Sequence, residues 1–370
     1  MSVKKVLILT ITAGQGHNST AKAISAELDA RGIESKVLDA YYYLSKLLGD
    51  TVSKGYLLSI NARQAYRTAY SYLEKRRTNS YSLSPMRITN MAFATKMRRF
   101  IDDYDPDVVI TTHIFAGMIL DVMKQLGELR AKVVNVLTDF TFHPYFEESL
   151  RSDYVVIPSE LLVEKAYKKG FGDDQILPFG IPIQPKFNIS ISREEARRRL
   201  EIDTDKPIVL LMSGSMGFGH IERTVSDLDN VRHDFGIITV CGSNQKAFDK
   251  IEHLHSKKLL RNYGYTNEVE VLMSACDSIV TKPGGLTTSE ALAKRLPIII
   301  STPLPGQEDR NTEFLLNHGA AMAVSPTTPL DEVIDQLFSN EPRLELMRRS
   351  IDLLRKPDST ARLCDFVAAL

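Results

Sequence analysis

The sequence predicts an α/β protein of two domains, each a doubly wound parallel sheet, on three observations. Strand-length apolar runs alternate with amphipathic stretches along most of the chain, the pattern of a parallel sheet covered by helices. The 370 residues exceed what one hydrophobic core usually spans. Between two such series lies Leu177-Pro-Phe-Gly-Ile-Pro-Ile-Gln-Pro185, where three prolines and a glycine in nine residues rule out a regular element and mark a linker. One domain is therefore expected over residues 1–180 and a second over 181–357.

In the first domain, Val3 to Thr10 reads as a strand, Asn18 to Arg31 as an amphipathic helix and Ser35 to Asp39 as the next strand. Strands are expected again at Asp107–Thr111, Lys132–Leu137 and Tyr154–Ile157. The stretch 41–102 interrupts this alternation and is mostly helical by composition. The second series runs Pro207–Met212, Gly236–Cys241, Ser278–Thr281, Pro297–Ile300 and Ala320–Val324, and a last helix is expected near 358–370.

Lysine and arginine (46) balance aspartate and glutamate (46), so net charge implies no global polyanionic partner. The balance hides an asymmetry. Between Tyr41 and Phe100 eleven basic residues face two acidic ones, a net of +9 (11 − 2), with eight of the 14 tyrosines; the remainder carries −9. That segment includes Lys75, Arg76 and Arg77 and suits nucleic-acid phosphates, an anionic membrane surface or a plain solvated face. Cys241, Cys276 and Cys364 lie far apart without C-x-x-C spacing, as expected of reduced thiols in a cytosolic protein. No apolar run approaches the ~18 residues of a membrane span, and no signal peptide is expected ahead of the first strand. Any membrane contact is expected to be peripheral.

Chemistry concentrates at strand ends. Thr281-Lys-Pro-Gly-Gly-Leu-Thr-Thr-Ser-Glu290 passes from strand through two glycines into a helix. Such a turn brings backbone N–H groups close to an anion, and the helix N-terminus adds partial positive charge. Glu290 is placed either to accept bonds from a ribose or to close a capping box with Thr287. Pro303-Leu-Pro-Gly-Gln-Glu-Asp-Arg-Asn311 follows the next strand and puts Gln307, Glu308 and Asn311 on the same sheet edge, where open α/β sheets bind ligands.

The two motifs together resemble the nucleotide-sugar donor site of glycosyltransferase family 28, with the best match among diacylglycerol glycosyltransferases. The resemblance covers nearly the whole chain. It implies the GT-B plan, two Rossmann-like domains whose parallel sheets face across a cleft, with the helix at 358–370 crossing back onto the first domain. It implies donor contacts from Gly284, Gly285, Leu286, Thr287 and Thr288 at the diphosphate, Glu290 at the ribose, and Gln307, Glu308 and Asn311 at the sugar. Ser213-Gly-Ser-Met-Gly-Phe-Gly219 matches the family's second glycine loop, giving Gly214, Ser215, Gly217 and Gly219. Cys241-Gly-Ser-Asn244 and Asn262-Tyr-Gly-Tyr265 resemble the turns beside the nucleotide, giving Asn244 and the backbone at Tyr265.

On the acceptor side, Thr10-Ile-Thr-Ala-Gly-Gln-Gly-His-Asn-Ser-Thr20 resembles the family's glycine-histidine turn, with Gly14, Gly16 and His17. His17 is the base or caps the helix. Thr138-Asp-Phe-Thr-Phe-His143 resembles the family's T-D-x-x-x-H segment; Asp139 orients His17, serves as base itself, or caps a loop. His113 and His143 are further acceptor-side candidates. The G-x-G turn with Asp39 at the second strand's end also admits an NAD reading, although the third glycine is missing and the Gln307–Asn311 motif has no use there.

The expected reaction is inverting transfer of a hexose from UDP-glucose or UDP-galactose to diacylglycerol, at the inner face of the cell membrane. No cofactor or metal is required: the strings Asp203-Thr-Asp205 and Asp227-Leu-Asp229 read as solvated charges, and His253-Leu-His255 has the wrong spacing for zinc. Beside such a donor site the basic segment reads as a membrane contact, with no nucleic acid expected. Alternatives are a relative with another lipid or soluble acceptor, and a UDP-sugar-binding regulator.

Overall fold

The computed structural model describes residues 3–12, 14–47, 49–51, 67–68, 70–72, 74, 85–212 and 221–370. Gly214, Ser215, Gly217 and Gly219, and the triplet Lys75, Arg76 and Arg77, lie outside the described residues. The chain divides into two compact units. The first comprises Met1–Pro185, Pro305–Gln307 and Asp358–Leu370, and the second Lys186–Leu304 and Glu308–Pro357.

The first unit is built on six parallel strands: β1 (Lys5–Thr10), β2 (Glu34–Asp39), β3 (Val108–Thr111), β4 (Lys132–Val136), β5 (Tyr154–Val156) and β6 (Ile176–Leu177). Their order is β2-β1-β3-β4-β5-β6. The two-residue period of a strand sends alternate side chains to opposite faces. Leu7, Leu9 and Ile11 therefore pack with Tyr41, Met97, Ile101 and Ile119 on one face. Val6 and Ile8 pack with Ile24 and Leu28 of helix Gly16–Ala30 on the other, joined by Leu363 and Val367 of helix Ser359–Ala368. Both are fully buried, and each such side chain contributes ~1.5–3 kcal/mol. The same helix is tied by its first residues: Ser359 Oγ donates to the Ile181 carbonyl at 2.9 Å and Thr360 Oγ1 to that of Ile183 at 2.5 Å.

The second unit repeats the plan with β7 (Ile208–Met212), β8 (Gly236–Val240), β9 (Leu260–Tyr263), β10 (Ser278–Thr281), β11 (Ile298–Ile300) and β12 (Ala321–Ala323), all parallel, in the order β12-β11-β10-β7-β8-β9. Two strands escape the sequence reading. Edge strand β6 ends on the first residue of the stretch expected to be linker, and β9 runs into the first two residues of the turn expected at Asn262–Tyr265.

In each sheet the chain reverses its direction of growth once, between β1 and β3 and between β7 and β10. Ligands bind open α/β sheets beyond the carboxyl ends of strands at such switch points. The registers Leu9↔Thr111 and Thr111↔Asn135 bring the loops after β1, β3 and β4 to one edge. Met212↔Thr281 does the same for the loops after β7 and β10.

Candidate active site

In the first unit the turn after β1 is held by its own polar side chains. Gly14 has φ +85°, a left-handed conformation that favours glycine. Asn18 accepts from Thr10 Oγ1 and donates to Thr12 Oγ1, both at 3.0 Å. Asp39 Oδ2 receives the backbone N–H and hydroxyl of Thr12 at 2.9 and 2.6 Å, while Oδ1 caps helix Ala40–Leu44 through Tyr41 and Tyr42. Both carboxylate oxygens are thus committed to the chain, which removes the ribose acid that an NAD reading needs.

His17 is the second residue of helix Gly16–Ala30, whose N-cap is Gln15, so it does not cap that helix. Its Nδ1 lies 2.7 Å from the Thr112 carbonyl oxygen and 3.0 Å from Thr138 Oγ1. A carbonyl only accepts, so Nδ1 carries the hydrogen and Nε2 keeps a lone pair. Burial holds the ring below its ordinary pKa, against the Thr112 bond that raises it. This is a neutral imidazole with its basic nitrogen fixed, the state a general base requires.

Thr112 and Thr138 occupy the position expected of an orienting carboxylate. Asp139 Oδ2 instead receives Gln307 Nε2 at 3.1 Å, Gln307 belonging to the first unit. His113 and His143 stand in the same loop cluster. His113 caps helix Ile114–Gln125 and His143 caps the 3-10 turn Pro144–Glu148. The His17 and His113 ring centroids are 4.6 Å apart. Burial and then the neighbouring histidines keep His113 well below its ordinary pKa; burial, Lys169 and His17 push His143 down to about 4.

In the second unit helix Gly285–Ala293 follows β10, capped by Gly284 with no side-chain bond. A Cβ built at Gly284 meets nothing within 4 Å, so the space over the turn is open. The free N–H groups and the macrodipole make this a fit for a phosphate. The helix starts two residues before Thr287, so the capping box between Thr287 and Glu290 does not form. Glu290 sits partly buried within the helix, its carboxyl pushed up to about 8 by burial and by Glu270, against Lys186 which lowers it. Thr288 Oγ1 is buried without a hydrogen-bond partner among the described residues.

Three expected donor contacts have structural work in the chain itself. Asn311 is fully buried and donates from Nδ2 to the Pro283 carbonyl at 2.8 Å, so it braces the glycine turn. Glu308 receives the Leu304 N–H at 2.5 Å and pairs with Lys282 at 3.4 Å. Asn244 caps helix Gln245–Glu252 through Ala247 N–H at 3.1 Å. Tyr265 is 73% exposed. Among the described residues no His, Cys, Asp or Glu group is arranged to hold a metal ion. No helix of the described residues is long and apolar enough to cross a membrane, and all three cysteines are free and buried.

The residues missed by the sequence reading are those that hold others in place. Thr112 acts through its backbone, which leaves no signal in composition. Thr138 stands at the head of the T-D-x-x-x-H segment and was visible there.

Two family models match the chain: monogalactosyldiacylglycerol (MGDG) synthase over residues 17–183 and the glycosyltransferase family 28 C-terminal domain over 208–363. A processive diacylglycerol beta-glucosyltransferase of Bacillus pumilus is 26% identical, covering 98% of this chain and 94% of its own. Among solved structures, MurG of Acinetobacter baumannii covers 99% of this chain and 100% of its own, with a TM-score of 0.66 at 17% identity. Anabaena HepE in complex with UDP-glucose covers 99% and 100%, with a TM-score of 0.55 at 13% identity.

Proposed function

Because the chain belongs to glycosyltransferase family 28 and has its GT-B fold, we propose that it transfers a hexose from a UDP-sugar to the free hydroxyl of diacylglycerol with inversion at the anomeric carbon. The observation that carries this reading is the contact of His17 Nδ1 with the Thr112 carbonyl, which sets the tautomer. With Nδ1–H held by Thr112, Nε2 takes the hydroxyl proton as the lipid oxygen attacks the sugar carbon and the bond to the diphosphate breaks.

The leaving UDP is stabilised at the N-terminus of helix Gly285–Ala293, where backbone N–H groups supply charge that a metal supplies in other architectures. Glu290 takes the ribose, and the open space over Gly284 admits the diphosphate. Gln307 and Glu308 take the sugar. The names of the matches divide between glucose and galactose, so both donors belong to the proposal. The basic segment between Tyr41 and Phe100 holds the enzyme on an anionic surface at the inner face of the membrane.

The test is incubation with UDP-glucose or UDP-galactose and diacylglycerol in anionic vesicles, followed by lipid mass spectrometry. A hexosyl-diacylglycerol from one of the two donors is the expected product. Donor consumption without any glycolipid, or none at all, would contradict the proposal.

A further inference from the structure

The three histidines of the first unit differ in which ring nitrogen the backbone holds. His113 Nδ1 accepts the Phe115 N–H at 3.2 Å, and His143 Nδ1 accepts the Tyr145 N–H at 3.3 Å. A ring nitrogen that accepts bears no hydrogen, so the neutral ring carries it on Nε2. His17 is the reverse, since its Nδ1 donates to a carbonyl. Among the described residues neither His113 nor His143 makes a hydrogen bond through Nε2. The cluster therefore offers one acceptor and two donors.

The rings are close enough to serve one small molecule. Phe115 lies 5.1 Å from His113 and 5.9 Å from His143, centroid to centroid, and Tyr145 stacks on His143 at 5.5 Å. All four remain partly exposed. Each donor thus has an apolar ring beside it.

We propose that His113 and His143 select an acceptor that carries two ester carbonyls next to its free hydroxyl, by donating Nε2–H to the carbonyls while His17 Nε2 takes the hydroxyl hydrogen. Carbonyl oxygens only accept, so they match the two donors, and the hydroxyl matches the one acceptor. A glycerol diester has this pattern, with acyl chains to lie on Phe115 and Tyr145. A lipid diphosphate matches less well: burial and His17 hold both rings below their ordinary pKa, joined by His143 at His113 and by Lys169 at His143, so the rings offer neutral donors.

The inference rests on the proposed function and deepens it. It is tested with a diacylglycerol and its dialkyl ether analogue, which keeps the hydroxyl and chains but lacks both carbonyls, each in anionic phospholipid vesicles with the active UDP-hexose. The wild-type kcat/KM should favour the diester by about 2- to 12-fold per hydrogen bond, roughly 4- to 150-fold for two. In H113N and H143N, where asparagine can still cap, that ratio should fall toward one; a merely structural role would lower both substrates and leave the ratio. Equal use of diester and diether by the wild type would overturn the inference while sparing the transferase reading, and it needs no variant. Failure of both acceptors would overturn both.

Discussion

The Nδ1 atom of His17 lies 2.7 Å from the backbone oxygen of Thr112, 95 residues further along the chain. The contact exists because β1 and β3 are neighbours in the sheet, so the loops after them start side by side. It sets the tautomer of the imidazole without a carboxylate. A backbone carbonyl carries only a partial charge, so it orients the ring and raises its pKa by less than burial lowers it.

Asp39 should behave as a structural residue. D39A removes a helix cap and both bonds to Thr12, and should destabilise the protein by about 2–3 kcal/mol with UDP affinity unchanged. D39N, which keeps an acceptor, should lose less. Calorimetric melting and UDP titration check this. Loss of ligand binding at an unchanged melting temperature would restore Asp39 as a ligand contact.

Asn311 should affect the donor site through the turn it braces. N311A leaves the buried Pro283 carbonyl without that donor, a cost of about 1–3 kcal/mol. Affinities for UDP and for UDP-hexose should fall by the same factor, measured by isothermal titration. A loss confined to UDP-hexose would mean that the amide touches the sugar after all.

Glu290 predicts a pH dependence of donor binding. Its carboxyl, raised to about 8, is mostly protonated at pH 7, whereas ribose hydroxyls donate best to a carboxylate. Binding should release a proton, so UDP affinity should rise between pH 7 and 9 and level off above. E290Q should be flat across that range and weaker by roughly 1.5–3 kcal/mol at its upper end. A wild-type affinity independent of pH would remove Glu290 from the ribose.

These assignments show how far the sequence reached. The alternation of apolar runs was sufficient for both sheets because parallel strands are buried on two faces and read as continuous apolar runs. It missed β9, whose Leu260-Arg-Asn-Tyr263 is only partly buried at a sheet edge, and β6, which has two residues. The glycine turns showed through their spacing. The roles of Asn311, Asn244 and Asp39 did not, since a side chain that caps or braces has the same composition as one that binds. Glu290 fits T-x-x-E spacing, and only the start of the helix at Gly285 excludes the capping box.

Membrane binding should follow the +9 segment between Tyr41 and Phe100. Neutralising Lys75, Arg76 and Arg77 together should remove up to about 1 kcal/mol per charge of affinity for anionic vesicles. Binding of the parent should fall with salt, because exposed charges are screened beyond ~8 Å at physiological ionic strength. Sedimentation with vesicles checks both, and UDP affinity should not change. Equal sedimentation of triple variant and parent would make the segment a solvated face.

The product and rate of H17A beside the wild type, with the active UDP-hexose and diacylglycerol, test the role of His17 as base. The wild type should yield the β-linked glycolipid from the α-linked donor, read by NMR of the anomeric proton. H17A should lower kcat by about 10²–10⁴-fold while binding UDP as the wild type does, because the base acts only as the proton leaves. An α-linked product, or near-normal turnover in H17A, would contradict it.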